Sequence, residues 1–187
     1  MIVRPLKLEG TYEIELSVRR DERGHFGRIF EADIWAAHGL PVAFEHENES
    51  FTRRKHTLRG LHFQRPPYSE TKIIRCAAGA VLDVFVDLRV GSPTYGQWDS
   101  HVLNAEAPRW LVIPKGFAHG FCTLTDDTLF VYKVDQVFAP DAEAGLAWND
   151  PTLAIPWPTR EPFLSERDRG HPAFADFVSP FVAGIDW

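Results

Sequence analysis

A small set of side chains with acid–base chemistry lies in short, strand-like segments of the sequence. Arg59 and His62 share the segment LRGLHFQ. Lys72 lies in SETKIIRC, and Tyr132 lies in LFVYKV. Histidine is the commonest general base near neutral pH, an ammonium group can stabilise a developing oxyanion, and a phenol can donate a proton. Together these types indicate proton-transfer chemistry.

Each of these residues also has an ordinary structural interpretation, which stays open. A lone histidine in a β-protein is most often a surface residue or a satisfied hydrogen-bond partner, Lys72 alone would be an exposed edge residue, and Tyr132 alone would be a core residue. The pairing of Arg59 with His62 favours function. Residues at odd separation face opposite sides of a regular strand, so we expect a bulge or bend at Gly60 that turns both side chains inward.

A second histidine lies in the pattern Pro114-x-Gly116-x-x-His119, directly after a strand-like run. The pattern resembles the second half-motif of the cupin barrel, in which this histidine points into the barrel mouth. Metal-binding cupins also need His-x-His followed by Glu, and here the corresponding stretch offers His62 alone. Tight metal sites generally need three or four protein ligands, so the sequence predicts no metal.

The segments between these residues indicate an all-β fold. Thirteen glycines and fourteen prolines are spread along the chain as turn residues. Strict alternation predicts strands over Thr11–Val18 and Val81–Arg89, and the second carries Asp83, Phe85, Asp87 and Arg89 on a face that we expect to line something wet. Several short strands at a spacing of roughly 8–12 residues, with turns between them, are typical of a sandwich or barrel. Further strands are predicted over Lys72–Ala77, His101–Leu103, Trp110–Ile113, Gly120–Leu124 and Leu129–Val134.

Helical signals are few. EADIWAAH (31–38) predicts a two-turn helix that ends at Gly39. The segment 140–187 is rich in Pro, Trp and Asp, and we expect an extended tail packed on the barrel by Trp148, Trp157 and Phe163. The whole chain, 1–187, is predicted to be one domain.

Composition excludes several functional classes. A formal net charge of −6 and a pI near 5.7 argue against nonspecific nucleic-acid binding, which depends on neutralising phosphates. No apolar run approaches the roughly 18 residues of a membrane helix, and MIVRPLKLEG lacks the apolar region of a secretory signal. Cys76 and Cys122 have no metal-type spacing and are too few for a disulfide scaffold. We therefore expect a cytoplasmic protein.

Seven motifs, in order, resemble the dTDP-4-dehydrorhamnose 3,5-epimerase family, which consists of cofactor-free cupin-fold enzymes. Any one motif is weak, whereas the ordered set is highly specific and covers most of the chain from residue 21 to 168. The motifs are DERGHF (21–26), LRGLHFQ (58–64), the run from Lys72 through DVFVDLRVGSPTYGQW to Trp98, IPKGFAHGF (113–121), YK (132–133), WNDP (148–151) and LSERD (164–168).

The resemblance implies a cupin-type jelly roll of antiparallel strands and a nucleotide-linked 4-keto-6-deoxyhexose as substrate. It implies that His62 is the base, that Asp168 orients it and balances its charge, that Lys72 stabilises the enolate oxygen, and that Tyr132 returns a proton from the opposite face. Neither a metal nor an organic cofactor is implied. The implied substrate contacts are Arg23, Phe26, Arg28, Glu47, Asn48, Arg59, Lys72, His119, Phe138, Glu143 and Arg167.

Three departures from the family pattern concern the nucleotide or the entrance. Arg28 stands where the family usually has Glu, Phe138 stands where a Tyr usually stacks on thymine, and the stretch HENESFTRRKHTLRG (46–60) is more basic. Some family contacts come from the partner subunit through exchanged N-terminal strands. We therefore expect a homodimer, supported by the apolar face of Thr11–Val18.

Several functions remain open at this stage. The chain could invert C3 and C5 of a dTDP-linked sugar in deoxysugar biosynthesis, or only one of these centres. Arg28 and the changed entrance leave room for an epimerase of a CDP- or GDP-linked sugar. A non-catalytic sugar-nucleotide binding cupin and a metal-dependent cupin are the alternatives from other classes.

Overall fold

The computed structural model describes residues 1–185, which form thirteen β-strands and two short α-helices. Short 3-10 turns lie at Pro140–Ala142 and Phe174–Asp176. The helices are α1 (Ala32–Ala37) and α2 (Glu166–Arg169). The strands are β1 (Ile2–Pro5), β2 (Tyr12–Glu15), β3 (Val18–Asp21), β4 (Gly24–Gly27), β5 (His46–Thr52), β6 (Leu58–Gln64), β7 (Lys72–Ala78), β8 (Ala80–Asp87), β9 (Trp98–Asn104), β10 (Arg109–Ile113), β11 (Phe117–Thr123), β12 (Thr128–Val134) and β13 (Glu143–Gly145).

Two antiparallel sheets make up the body of the fold. One has the strand order β1-β2-β10-β7-β12-β5, and the other has the order β13-β6-β11-β8-β9. Strands β3 and β4 form a separate hairpin. Neighbours in each sheet are mostly distant in sequence, as the crossing connections of a jelly roll require. The predicted all-β, cupin-type fold is confirmed.

Buried apolar residues pack between the two sheets and on the outer face of the five-stranded sheet. One cluster, which includes Phe85, Phe117, Phe121 and Phe130, fills the space between the two sheets. A second covers the outer face of the five-stranded sheet, where Phe181 and other apolar residues of the C-terminal segment pack. The two clusters cover opposite faces of the five-stranded sheet. Side chains of β8 are therefore buried on both of its faces.

The face of β8 that carries Asp83, Phe85 and Asp87 was expected to be wet, and this expectation is wrong. All three residues are fully buried. Phe85 belongs to the core, while Asp87 accepts hydrogen bonds from Arg89, Ser92 and Thr94. Only Asp83 approaches a polar cavity, through its contact with His119 on the neighbouring strand β11.

The N-terminal region also departs from its prediction. Thr11–Val18 is not one strand, because the chain leaves β2 after Glu15 and begins β3 at Val18. Its apolar residues Ile14 and Leu16 are buried in this same chain, against Trp35 of α1 and Trp110 of β10. The apolar face is therefore covered within one subunit, and it gives no support to a swapped sheet. Helix α1 ends as predicted, with Gly39 at φ +69.

The C-terminal segment runs over the five-stranded sheet, and its aromatic residues differ in their contacts. Trp148 and Trp157 pack against buried Leu58 and Leu164. Phe163 is instead 55% exposed at the entrance of the cavity described below. The last two residues of the predicted tail lie outside the described residues. Within residues 1–185, no helix is long and apolar enough to cross a membrane.

Candidate active site

A cavity of about 770 Å³ opens between the two sheets, near the end where α2 packs on β6. Ten of the fourteen predicted site residues line it, although they come from eight separate parts of the chain. These ten are Asn48, Arg59, His62, Lys72, His119, Tyr132, Phe138, Glu143, Arg167 and Asp168.

His62 and Asp168 form a close pair on one wall of the cavity. His62 projects from β6, and its Nε2 lies 2.6 Å from Asp168 Oδ1. Asp168 is held by the start of α2, where the Ser165 hydroxyl accepts a hydrogen bond from the Asp168 backbone N–H. The pair is well placed to orient an imidazole and to stabilise its protonated form.

Burial and nearby charges keep the His62 imidazole neutral and the Asp168 carboxyl group ionised. Burial lowers the pKa of His62 below its ordinary value, and this outweighs the opposing effect of Asp168. Burial alone would raise the pKa of Asp168, but the nearby imidazoles of His171 and His62 and the Ser165 hydroxyl hold it well below its usual range. At neutral pH the pair is therefore a neutral imidazole beside a carboxylate.

Tyr132 and Lys72 lie on the opposite wall, which belongs to the six-stranded sheet. Tyr132 on β12 is directly opposite Asn48 on β5. Lys72 is two residues from the β7 partner of Tyr132, and its Nζ lies 3.2 Å from Glu70 Oε1. Burial raises the pKa of Tyr132, and the negative charges of Glu70 and Glu143 raise it further. The phenol therefore stays protonated and can act as an acid.

The bulge expected near Gly60 is confirmed. The register between β6 and β11 shifts between the pairs His119↔His62 and Phe121↔Arg59. Gly60 has φ +132, and a Cβ at this position would lie 2.5 Å from the Cα of Gly120. Only glycine fits there. The irregularity lets Arg59 and His62 both reach the cavity, and the Arg59 Nε donates a hydrogen bond to Thr52 Oγ1.

His119, which the Pro-x-Gly-x-x-His pattern predicts to point into the barrel mouth, lines the cavity. Gly116 makes the preceding turn with φ +86, and His119 follows inside β11. Its Nε2 lies 2.7 Å from Asp83 Oδ2, and its ring stacks on Phe130. The side chain is buried and fixed, so it can contact a ligand with little loss of conformational entropy.

The entrance carries charged and aromatic groups. Arg167 donates two hydrogen bonds to the Glu143 carboxylate, at 2.6 and 2.8 Å, in the forked geometry typical of Arg–carboxylate pairs. Phe138 is 58% exposed and presents its ring at the cavity rim. Such a ring can stack on a nucleobase.

Four predicted substrate contacts lie outside this cavity. Arg23 is exposed in the β3–β4 hairpin and pairs with Asp21. Phe26 and Arg28 line a separate groove beside Met1 and Arg19, and Arg28 pairs there with Glu31. Glu47 neighbours Asn48 on β5, so its side chain takes the other face of the sheet, and it pairs with Lys133. Within one subunit the structure does not bring these four to His62.

Sequence reasoning missed two titratable groups at the site, Glu70 and His171. Glu70 lines the cavity beside Lys72, but it lies in a loop with no periodicity. His171 has its Nε2 3.7 Å from Asp168 Oδ1. It lies beyond the end of α2 at Arg169, so no helical spacing points from Asp168 to it. No local pattern in the sequence pointed to either group.

Three groups at the site have atoms that could ligate a metal: His62, Asp168 and His171 lie within 4.8 Å of one another. Tetrahedral coordination with bonds of about 2.0–2.1 Å separates ligand atoms by about 3.3 Å. His62 and Asp168 are 2.6 Å apart, which is a hydrogen-bond distance. The arrangement fits a proton-transfer pair better than a metal site.

Comparison with known proteins agrees with this geometry. The dTDP-4-dehydrorhamnose 3,5-epimerase family matches residues 5–176. The chain is 44% identical over 163 residues to a dTDP-4-dehydrorhamnose 3,5-epimerase of Shigella flexneri, which covers 87% of this chain and 90% of that protein. It is 41% identical over 170 residues to a dTDP-4-dehydrorhamnose 3-epimerase of Streptomyces niveus, covering 90% and 82%.

A solved structure extends the likeness to three dimensions. The Bacillus anthracis dTDP-4-dehydrorhamnose 3,5-epimerase, determined with TDP and pyrophosphate bound, superposes with a TM-score of 0.89 at 41% identity. The match covers 92% of this chain and 98% of that one. With a family match over nearly its whole length and relatives above 40% identity, the chain belongs to the dTDP-4-dehydrorhamnose 3,5-epimerase family.

Proposed function

We propose that this protein epimerises a dTDP-linked 4-keto-6-deoxyhexose by proton transfer through an enolate, in the biosynthesis of a deoxysugar such as dTDP-L-rhamnose. The observation that carries the proposal is the placement of His62 and Tyr132 on facing sheets of one cavity. Inverting a carbon requires removal of a proton on one face and delivery on the other. A base and an acid on opposite walls meet that requirement.

The 4-keto group is what makes the abstraction feasible. The ketone acidifies the protons at C3 and C5, and His62 takes one of them with Asp168 balancing the imidazolium charge. The electron pair then resides on the carbonyl oxygen as an enolate. Lys72 supplies the positive charge that stabilises this oxygen, and Tyr132 protonates the carbon from the opposite side.

The polar groups around this centre would bind the rest of the substrate. Arg59 and His119 are suited to the diphosphate and sugar, and Phe138 offers a stacking surface for the base. Arg167 and Glu143 lie at the entrance as a hydrogen-bonded pair. Arg28 and Phe138, which differ from the family pattern, concern the nucleotide end and leave His62, Lys72, Tyr132 and Asp168 unaffected.

Epimerisation at one centre only is the second candidate, favoured by the likeness to the Streptomyces niveus 3-epimerase. The two candidates are separated by incubating the protein with dTDP-4-keto-6-deoxyglucose in D2O and following C3 and C5 by NMR. Deuterium at both positions supports the double epimerase, and deuterium at one supports the single. A lack of exchange at both would refute the proposed function. The same incubation with a CDP-linked and a GDP-linked sugar tests the alternative that the protein acts on another nucleotide sugar.

We further propose that the working protein is a homodimer and that it acts in the cytoplasm. The dimer is supported by the exposed β3–β4 hairpin, where Arg23 and the 74% exposed Phe26 have no contact with this subunit's cavity. A partner subunit that receives the hairpin would gain these contacts. The cytoplasmic location is supported by Cys76 and Cys122, which are buried free thiols.

A further inference from the structure

Beside the pair of His62 and Asp168 lies a third titratable side chain, His171, to which the mechanism above gives no role. Its Nε2 lies 3.7 Å from Asp168 Oδ1, the same oxygen that contacts His62 at 2.6 Å. The His171 ring meets the His62 ring edge-on, with centroids 5.5 Å apart and an interplanar angle of 74°. The His171 side chain is 12% exposed, and its Nε2 makes no hydrogen bond with any described residue.

The backbone around His171 leaves room for its ring and little room for anything else. Gly145 on β13 pairs with His62 on β6. A Cβ at position 145 would lie 2.5 Å from His171 Nε2, so any side chain there would displace the ring. The next residue, Pro172, accepts a hydrogen bond from the Ala147 backbone N–H. The imidazole is thus seated against Asp168 by fixed neighbours on both sides.

We propose that His171 is a positioning residue of the active site, which shares Asp168 Oδ1 with His62 and holds the carboxylate in place. The inference rests on the proposed function of this site. A buried polar atom without a partner is unfavourable, and the Asp168 carboxylate is an acceptor only 3.7 Å from Nε2. An approach of about 0.8 Å would bring the two atoms to hydrogen-bonding distance.

A shared carboxylate oxygen has a definite chemical consequence. An oxygen that accepts from two N–H groups attracts each proton less strongly than an oxygen that accepts from one. His171 therefore limits the stabilisation that Asp168 gives to protonated His62, so more of the free protein carries His62 as a neutral base. It also restrains rotation of the carboxylate, which keeps the His62 ring oriented.

Other charged groups also act on His62, and removing His171 leaves them in place. Asp168 and Arg167 face it from α2, and Lys72 faces it from β7; Asp168 raises the pKa of His62, while the two cations lower it. On the same cavity wall, Glu143 of β13 is neutralised by Arg167. Tyr132 of β12 and Glu70 lie across the cavity.

The test compares His171→Phe with His171→Gln. Phenylalanine keeps the ring and its packing but has no N–H, whereas glutamine lacks the ring and carries an amide N–H at the same number of bonds from Cα. In the free protein, an NMR pH titration of the imidazoles should show that the pKa of His62 rises in His171→Phe and stays at the wild-type value in His171→Gln.

The catalytic activity of the two variants should agree with their titrations, with a loss in His171→Phe and little change in His171→Gln. With wild-type substrate turnover as reference, kcat of His171→Phe should fall about 3- to 10-fold, the factor that corresponds to one ordinary hydrogen bond. The acidic limb of its kcat/KM profile should move to higher pH, while His171→Gln should resemble the wild type. His101→Phe is the matched control, because His101 also contacts an aromatic ring and lies 3.3 Å from an aspartate, away from the cavity.

The opposite order would overturn the inference: a wild-type titration and kcat in His171→Phe, with loss in His171→Gln, would show that the ring only fills space. This result would leave the proposed function intact if the wild type still exchanges C3 or C5 protons. The titration needs no substrate, so it decides the role of His171 even if the wild type fails to turn over the sugar nucleotide.

Discussion

His62 Nε2 and Asp168 Oδ1 lie 2.6 Å apart although 106 residues separate them in sequence, joining a central strand to a one-turn helix in the C-terminal segment. The contact exists because the C-terminal segment packs over β13 and β6, which brings α2 to the mouth of the cavity. The general base of the proposed reaction therefore depends on the C-terminal segment as much as on the barrel.

The pH dependence of kcat/KM should follow the two groups that transfer protons. Because burial lowers the pKa of His62, the acidic limb should have its midpoint below 6.5, the ordinary histidine value. Because the pKa of Tyr132 is raised, the basic limb should lie above 10. Asp168→Asn removes the carboxylate that raises the pKa of His62, so its acidic limb should move to still lower pH as kcat falls. An Asp168→Asn profile with the wild-type midpoint would contradict the coupling of the pair.

The bulge at Gly60 should be intolerant of any side chain. Gly60 and Gly24 both have strongly positive φ, +132 and +125, but a Cβ at Gly24 meets nothing within 4 Å. Gly24→Ala should therefore cost only backbone strain, about 1–3 kcal/mol of unfolding free energy. Gly60→Ala should cost that strain plus about 1–3 kcal/mol of overpacking against Gly120. Urea unfolding of the two variants measures the difference, and equal costs would show that the contact at Gly120 is not tight.

Activity should survive removal of metal ions. The hydrogen-bond distance between His62 and Asp168 fits a proton-transfer pair, and proton transfer at an acidified carbon needs no Lewis acid. Protein treated with EDTA and then freed of chelator should keep the turnover of an untreated sample. Loss of activity that zinc or iron restores would instead support the metal-dependent alternative.

The protein should sediment as a dimer. The chain mass is 21.3 kDa, and an exchanged β3–β4 hairpin would bury Phe26 in the partner subunit. Analytical ultracentrifugation at micromolar concentration should give about twice the chain mass, and Phe26→Asp should shift the equilibrium toward the monomer. A wild-type mass near that of one chain would contradict the proposal.

The sequence predicts those parts of the fold and site that depend on local patterns. The alternation in Leu129–Val134, the Gly39 helix end and the turn before His119 all depend on neighbouring residues, and the structure has each of them. The family resemblance likewise names ten of the residues that line the cavity, and seven of these ten lie within the ordered motifs.

Features set by distant packing were not predictable in this way. The face of β8 that carries Asp83 has the pattern of a wetted strand, yet it is buried because a second sheet and the C-terminal segment cover both sides of β8. The turn between β2 and β3 follows from packing of Leu16 against α1. His171 gains its position from the absence of a side chain at Gly145, a contact across 26 residues that no local pattern encodes.

The most direct test of the two-wall mechanism compares His62→Ala with Tyr132→Phe in D2O, with a substitution of the exposed histidine directly after α1, His38→Ala, as control. His62→Ala should abolish exchange at C3 and C5, because loss of a general base typically costs about 10²–10⁴-fold. Tyr132→Phe keeps the base, so deuterium should still enter the substrate while the epimerised product falls sharply. Equal loss of exchange and product in Tyr132→Phe, measured by NMR of the same reaction, would contradict the assignment of Tyr132 as the acid on the opposite face.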